Sequence, residues 1–210
     1  MVKGVIFDME GVLADTEYFY IRRRNDFLKM MGFIRRENNH FIGSNEQAIW
    51  ETMIPDDIVF REEMMMGYRA YRKLHETPYA ELANPQMKSV FADLKKRGLS
   101  IGIASSSERA AIKSLIHSQK LENMVDYYIS GEECNAHKPD PEIYLRALDE
   151  LGLSPEEAIA VEDSPTGIQA AKRAGMKVCA FCSGHEEIVL DQSAAHWIIR
   201  SLNEVMEHIE

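Results

Sequence analysis

The sequence predicts an α/β protein: a Rossmann-like parallel sheet core with helices on both faces, plus a helical cap domain inserted after strand one. Three observations carry this expectation. From residue 81 onward, short apolar runs alternate with amphipathic segments of helical spacing. The opening run VKGVIFD belongs to the same alternation, and a β-α-β-α order implies a parallel sheet covered on both sides. Residues 16–79 break the rhythm, with several helical stretches and no convincing strand. The division expected is therefore an α/β core from residues 1–15 and 80–210, and a helical cap from residues 16–79.

In order along the chain, VKGVIFD is the first strand, and TEYFYIRRRNDFLKMMG, NEQAIWETM and a long segment from about 56 to 77 supply the helices of the insertion. Further strands are LSIGIAS (99–105), VDYYIS (125–130), EAIAVED (157–163) and MKVCAF (176–181), each bounded by glycine or polar residues. The helices between them carry end signals: Gly98, Gly152 and Gly175 sit just past helices, Pro141 lies near the start of one, and Ser154-Pro155-Glu156-Glu157 begins a short turn. Ligands of open α/β sheets bind outside the C-terminal strand ends. The insertion leaves from such an end, which places it to cover a site there. No internal repeat or low-complexity segment is found. Met64-Met65-Met66, Trp50 and Tyr68 are expected to pack the helices of the insertion.

Composition narrows the function classes. Hydrophobic residues at 45% and charged residues at 28% suit a globular protein, and no apolar run reaches the roughly 18 residues of a membrane span. The N-terminus runs into acids without a cleavage-site pattern, so a cytoplasmic protein is expected. Three cysteines argue against a disulfide framework. Cys179 and Cys182 stand three apart in a strand pattern and so face opposite ways, which is wrong for a redox or metal pair. The net charge of −10 disfavours nucleic acid and anionic membranes. Residues 15–80 hold ten Lys plus Arg against eleven Asp plus Glu, so the excess of acid lies in the core, and an anionic substrate there needs a cation.

Polar residues appear where the alternation puts C-terminal strand ends: Asp8 and Glu10 after strand one, Ser105 after LSIGIA, and Glu162 and Asp163 after AIAV, with Lys138 in the loop AHKPDPE. Singly, each reads as a turn residue or helix cap. Together on one edge they read as a site. Several acids at the mouth of a buried sheet repel one another unless a cation sits among them. An oxygen-only set without His or Cys favours Mg²⁺ over zinc, and Mg²⁺ suggests phosphate chemistry. Lys138 would add a fixed positive charge and Ser105 a hydroxyl donor to the phosphate oxygens. A carboxylate at Asp8 could accept the phosphoryl group, and the second acid could protonate the leaving alkoxide and later deprotonate water.

At this point the sequence resembles the haloacid dehalogenase superfamily, in the branch with a helical cap after the first strand, among the β-phosphoglucomutase-like phosphatases. The resemblance spans essentially the whole chain and rests on FDMEGVLADTE, IASSS, HKPDPEIY and VEDSPTGIQAAKRAGM. It implies Asp8 as nucleophile, Glu10 as acid/base, Ser105 as phosphate ligand and Lys138 as charge clamp. It further implies Mg²⁺ held by Asp8, Asp163 and the backbone carbonyl of Glu10, with Glu162 in the first or second shell. Ser106, Ser107, Arg109, Phe19 and Arg23 are the candidate substrate contacts. The expected partner is a small phosphorylated metabolite, with no nucleic acid and no membrane, and the expected state is a monomer.

Two departures from the family pattern matter. The first motif of these phosphatases is D-x-D-G, and here it is D-M-E-G. One extra methylene moves the carboxylate by on the order of 1 Å, and misplacement on that scale can cost about 10²-fold. Acid/base help itself is worth roughly 10² to 10⁴. The expectation is a slowed or re-aimed phosphatase in which Glu10→Asp raises turnover. Secondly, β-phosphoglucomutase relatives carry a His early in the first cap helix, an Arg in the second cap segment and an Asn after the Ser motif. The matching stretches here are EYFY, GSNEQAIW and SSSER, with Phe19 near the His position and Arg109 near the Asn position. Hydrolysis is favoured over a sugar-phosphate mutase, and a third reading is a phosphometabolite-binding protein of low turnover. Phe19 and Arg23 lie four apart on one helix face, so Arg23 either meets a distal anionic group or forms a solvated face with Arg22 and Arg24.

Overall fold

The computed structural model describes residues 1–33, 46–183 and 190–209. The stretch GSNEQAIW is therefore described only from Glu46 onward. The chain divides into two compact units, one of Met1–Asp15 with Tyr79–Glu210 and the other of Thr16–Pro78.

The first unit is built on six parallel strands: β1 (Gly4–Phe7), β2 (Ser100–Ser105), β3 (Tyr127–Ser130), β4 (Ala158–Glu162), β5 (Lys177–Phe181) and β6 (Trp197–Ile199). Their order in the sheet is β3-β2-β1-β4-β5-β6. The central strand β1 is buried along its whole length, as a strand covered on both faces must be. Side chains alternate between the faces. Val5 and Phe7 pack with Val90, Phe91 and Leu94 of α5 (Met87–Lys96) and Ile112 and Leu115 of α6 (Arg109–Gln119). Ile6 points the other way, toward Ile143, Tyr144 and Ala147 of α7 (Glu142–Leu151) and Ile168 and Ala171 of α8 (Pro165–Arg173). A further short helix, α4 (Tyr79–Leu82), begins the return into this unit.

The end signals act as the sequence suggests. Gly152 closes α7 with φ of +64°, a left-handed conformation natural to glycine. Ser154 and Glu157 form a reciprocal capping box around the turn Pro155–Glu157. The strand expectations hold with trimmed ends, and β6 is an element that the alternation did not reveal. Cys179 is buried in β5 and Cys182 lies past its end, and both are free thiols. Among the described residues no helix is long and apolar enough to cross a membrane.

The second unit contains α1 (Glu17–Met30), α2 (Glu46–Met53) and α3 (Ile58–Leu74). Asp57 caps α3, its carboxylate accepting the Phe60 N–H at 2.9 Å. Phe27, Leu28, Trp50, Met64, Met65 and Tyr68 form the core of this unit, while Met66 faces outward.

Candidate active site

The register of the sheet assembles the site. Phe7 pairs with Ile103 on one side and Val161 on the other, so the chain leaves β1, β2 and β4 at nearly the same level. That edge receives Asp8, Ser105, Glu162 and Asp163, all of them buried. The Asp8 N–H donates to Val161 O at 2.8 Å, which extends the ladder by one residue and fixes the backbone from which the carboxylate projects.

Lys138 enters from the loop before α7 and is the hub of the cluster. Its Nζ donates to Asp8 Oδ1 at 2.5 Å, to Glu162 Oε1 at 2.6 Å and to Ala104 O at 3.0 Å. An ammonium so enclosed is tolerable only because both carboxylates surround it. Burial works against its charge, but Asp8 and Glu162 outweigh that and hold its pKa above the ordinary lysine value. Asp8 shows the opposing balance. Burial pushes its carboxyl up to about 7, against the pull of Lys138, with Glu162 adding to the rise.

Glu162 is held on two sides. Tyr144 of α7 donates its hydroxyl to Glu162 Oε1 at 2.5 Å, and the Lys138 ammonium lies 5.1 Å from the Tyr144 ring centroid. On the other side the carboxylate presses on the first turn of α8, where a Cβ on Gly167 would come within 2.1 Å of Oε1. Glycine is required there by the approach of the acid. Ser164 caps the same helix by accepting the Gly167 N–H at 3.1 Å. Gly11 has an analogous role: its φ is +73°, and a Cβ there would fall 2.0 Å from Asp163 Oδ2.

Asp8, Glu162 and Asp163 each present an oxygen within 4.8 Å of the others. Three buried carboxylates, with one ammonium shared by two of them, are a donor set that fits a hard divalent cation such as Mg²⁺. Glu162 already gives Oε1 to Lys138 and Tyr144, so orienting the lysine is part of its work.

Glu10 stands one residue past Met9 in the turn after β1. Its Oε1 accepts from Ser107 Oγ at 2.5 Å and from Tyr79 OH at 3.4 Å. Ser105 Oγ accepts the Ser107 N–H at 3.1 Å, so its own proton remains to be donated. Ser106 is exposed beside it. Arg109 opens α6 with its guanidinium engaged, 2.7 Å from Glu133 Oε1 and 4.5 Å from the Tyr128 ring centroid.

The structure thus joins Asp8, Lys138 and Glu162 in one hydrogen-bonded network, with Asp163 beside it, and Glu10, Ser107 and Ser105 in a second, all within the same compact unit. Phe19 and Arg23 belong to the helical unit. Phe19 is half-buried, and the Arg23 guanidinium lies 5.0 Å from the ring centroids of Phe19 and Tyr20. Arg23 Nη1 donates to His75 O at 2.9 Å and Thr77 Oγ1 at 3.2 Å. The solvated-face expectation for the arginine run is corrected here: Arg22 is exposed, whereas Arg23 and Arg24 are buried because their side chains lie against aromatic rings. Tyr144, Ser130 and Gly167 were missed from the sequence. Their only signals were a hydroxyl on a buried helix face, a serine ending a strand, and a glycine in a helix's first turn.

A buried, lysine-bridged acidic cluster at the carboxyl edge of a parallel sheet places the protein among α/β proteins whose ligand site lies at the strand ends. Residues 5–181 match the model of the haloacid dehalogenase-like hydrolases, and the chain belongs to that family. It is 27% identical over 180 residues to a phosphorylated carbohydrates phosphatase of Thermotoga maritima, covering 84% of this chain and 83% of that protein. A phosphoglycolate phosphatase of Aquifex aeolicus is 26% identical over 190 residues, covering 89% of this chain and 88% of its own. Among solved structures, β-phosphoglucomutase from Clostridium difficile superposes with a TM-score of 0.78 at 24% identity, covering 100% of this chain and 96% of that one. That last likeness speaks to the fold.

Proposed function

We propose that the chain is a Mg²⁺-dependent phosphatase of a small phosphorylated metabolite, a sugar phosphate in particular, working through phosphorylated Asp8. The observation that carries the reading is the Asp8 carboxylate held 2.5 Å from the Lys138 ammonium among buried acids at a sheet edge. The phosphatase of phosphorylated carbohydrates among its relatives supports the substrate class.

An Asp8 oxygen attacks phosphorus, and the bond from phosphorus to the leaving oxygen breaks as Glu10 gives that oxygen its proton. Water then attacks the aspartyl phosphate, Glu10 takes the proton, and phosphate leaves with Asp8 restored. Lys138 and the Ser105 hydroxyl hold the phosphoryl oxygens as charge builds on them. Asp8, Asp163, the Glu10 carbonyl and Glu162 are the residues to hold Mg²⁺, which when bound neutralises charge on the transferring group. The helical unit is read as the substrate-selecting cap, and hydrolysis is preferred to mutase chemistry because Arg109 is committed to Glu133 and Tyr128.

The test is phosphate release from a broad panel of phosphorylated metabolites with Mg²⁺. Steady hydrolysis supports the reading. Interconversion of glucose 1- and 6-phosphates would replace it with a mutase, and binding without turnover with a phosphometabolite-binding protein.

A further inference from the structure

The extra methylene of Glu10 leads on the sequence to a loosely placed acid, but the structure gives that acid a seat. Two hydroxyls converge on Glu10 Oε1, Ser107 Oγ at 2.5 Å and Tyr79 OH at 3.4 Å. Ser107 is itself fixed from both sides. Its N–H donates to Ser105 Oγ at 3.1 Å, and its C=O accepts from Ser130 Oγ at 2.6 Å. Ser105 and Ser130 are buried register partners at the ends of adjacent strands, so the support for Ser107 is as rigid as the sheet. Ser130 is locked in turn, since its hydroxyl also accepts the Glu132 N–H at 3.2 Å. A carboxylate one bond shorter would not span to this hydroxyl from the same backbone. The length of Glu10 and the presence of a hydroxyl at 107 therefore belong together.

We propose that Ser107, assisted by Tyr79, is a positioning residue that fixes the carboxylate of Glu10, so that the longer side chain is re-aimed and not slack. This rests on Glu10 being the acid/base group of the proposed phosphatase. It reassigns Ser107 from the substrate contacts to the proton-transfer apparatus, and it reverses the expectation for Glu10→Asp: shortening the side chain loses the seat and lowers turnover.

The experiment is a double-mutant cycle on Mg²⁺-dependent hydrolysis of p-nitrophenyl phosphate, with crystal structures of the same proteins. Ser107→Ala is expected to lower kcat about tenfold with KM within twofold, and Ser107→Thr, which keeps the hydroxyl, to restore most of it. In the Glu10→Asp background Ser107→Ala should cost less than twofold, because there is no seat left to lose. Equal losses in both backgrounds, or a loss appearing in KM, would make Ser107 a substrate ligand and overturn the proposal. If the wild-type protein hydrolyses nothing, the phosphatase reading fails while the seat is still judged by the crystals. The Glu10 carboxylate should lie on Ser107 Oγ in the wild type and leave it in Ser107→Ala; a wild-type Glu10 placed elsewhere refutes the seat independently of turnover.

Discussion

The sheet edge and the helical unit both bury charged side chains, and they do so for different ends. At the edge, Lys138 is met by two carboxylates and lies against a third group's ring, so its positive charge converges with Asp8 and Glu162 at one point. In the helical unit, Arg23 is 7% exposed, yet its guanidinium spends itself on a backbone carbonyl, a threonine hydroxyl and the rings of Phe19 and Tyr20. Arg24 lies 5.7 Å from the Tyr68 ring centroid, and burial lowers its pKa from the ordinary arginine value. Burial of charge is thus not in itself a sign of chemistry. What separates the two regions is convergence: the edge gathers carboxylates around one ammonium, whereas Arg23 ties α1 to the residues that follow α3 and Arg24 lies over the Tyr68 ring.

The sharpest way to break this contrast is Asp8→Asn. If the edge is a reaction centre, the variant loses at least about 10⁴-fold in phosphate release while still folding, since removing a nucleophile abolishes the covalent route. A variant that retains substantial turnover would move the nucleophile elsewhere. Lys138→Met comes next, and should damage both activity and stability. It leaves Asp8 and Glu162 facing each other without their shared ammonium, and breaking a buried pair in this way costs about 3 to 5 kcal/mol. Denaturant unfolding measures that loss, and an unchanged midpoint would show the two acids to be neutral without the lysine.

Arg23→Ala tests the other side. Its Nη1 bonds close the end of α3 through His75, the residue that follows the helix, so removing them should cost about 1 to 3 kcal/mol with KM changed less than twofold. A raised KM with unaltered melting would return Arg23 to the substrate and erase the contrast.

How far these regions were legible beforehand follows the same division. Asp8, Ser105, Glu162 and Asp163 were readable because strand ends are set by periodicity and polar residues just beyond apolar runs fall at the edge, whereas Lys138, in the loop before α7, was read from its charge and from the motif HKPDPEIY. Tyr144 was not, because in EIYLRAL it is simply one of the apolar positions facing the sheet; its hydroxyl acquires a partner only when β4 delivers Glu162 beneath it. Ser107 was legible only as a substrate contact, and Ser130 only as a serine ending a strand, since their bonds cross between β2, β3 and the turn after β1. The three-residue strand β6 has too short a pattern to register, with Ile198 exposed at its middle. In the run Arg22-Arg23-Arg24 the side chains are alike, and only the aromatic neighbours decide which two turn inward.

The smallest expected effect bears on the cost of convergence. Burial raises the Asp8 carboxyl from 3.8 to about 7, although Lys138 opposes the rise. An acid whose folded pKa is raised contributes stability that is fully present below its unfolded value and is lost as pH rises through the folded one. In chelator, wild-type protein should therefore lose melting temperature relative to Asp8→Asn between about pH 4 and pH 7 and level off above that, because the variant has no proton to give up at that position. Taking the difference between the two proteins removes the contribution of every other titrating group they share. Adding Mg²⁺ should close the gap at high pH, since a cation favours the charged carboxylate that burial penalises. A difference that stays flat across this range would mean that Lys138 alone keeps Asp8 ionised, and the edge would then resemble the helical unit, with its buried charge settled by its own neighbours.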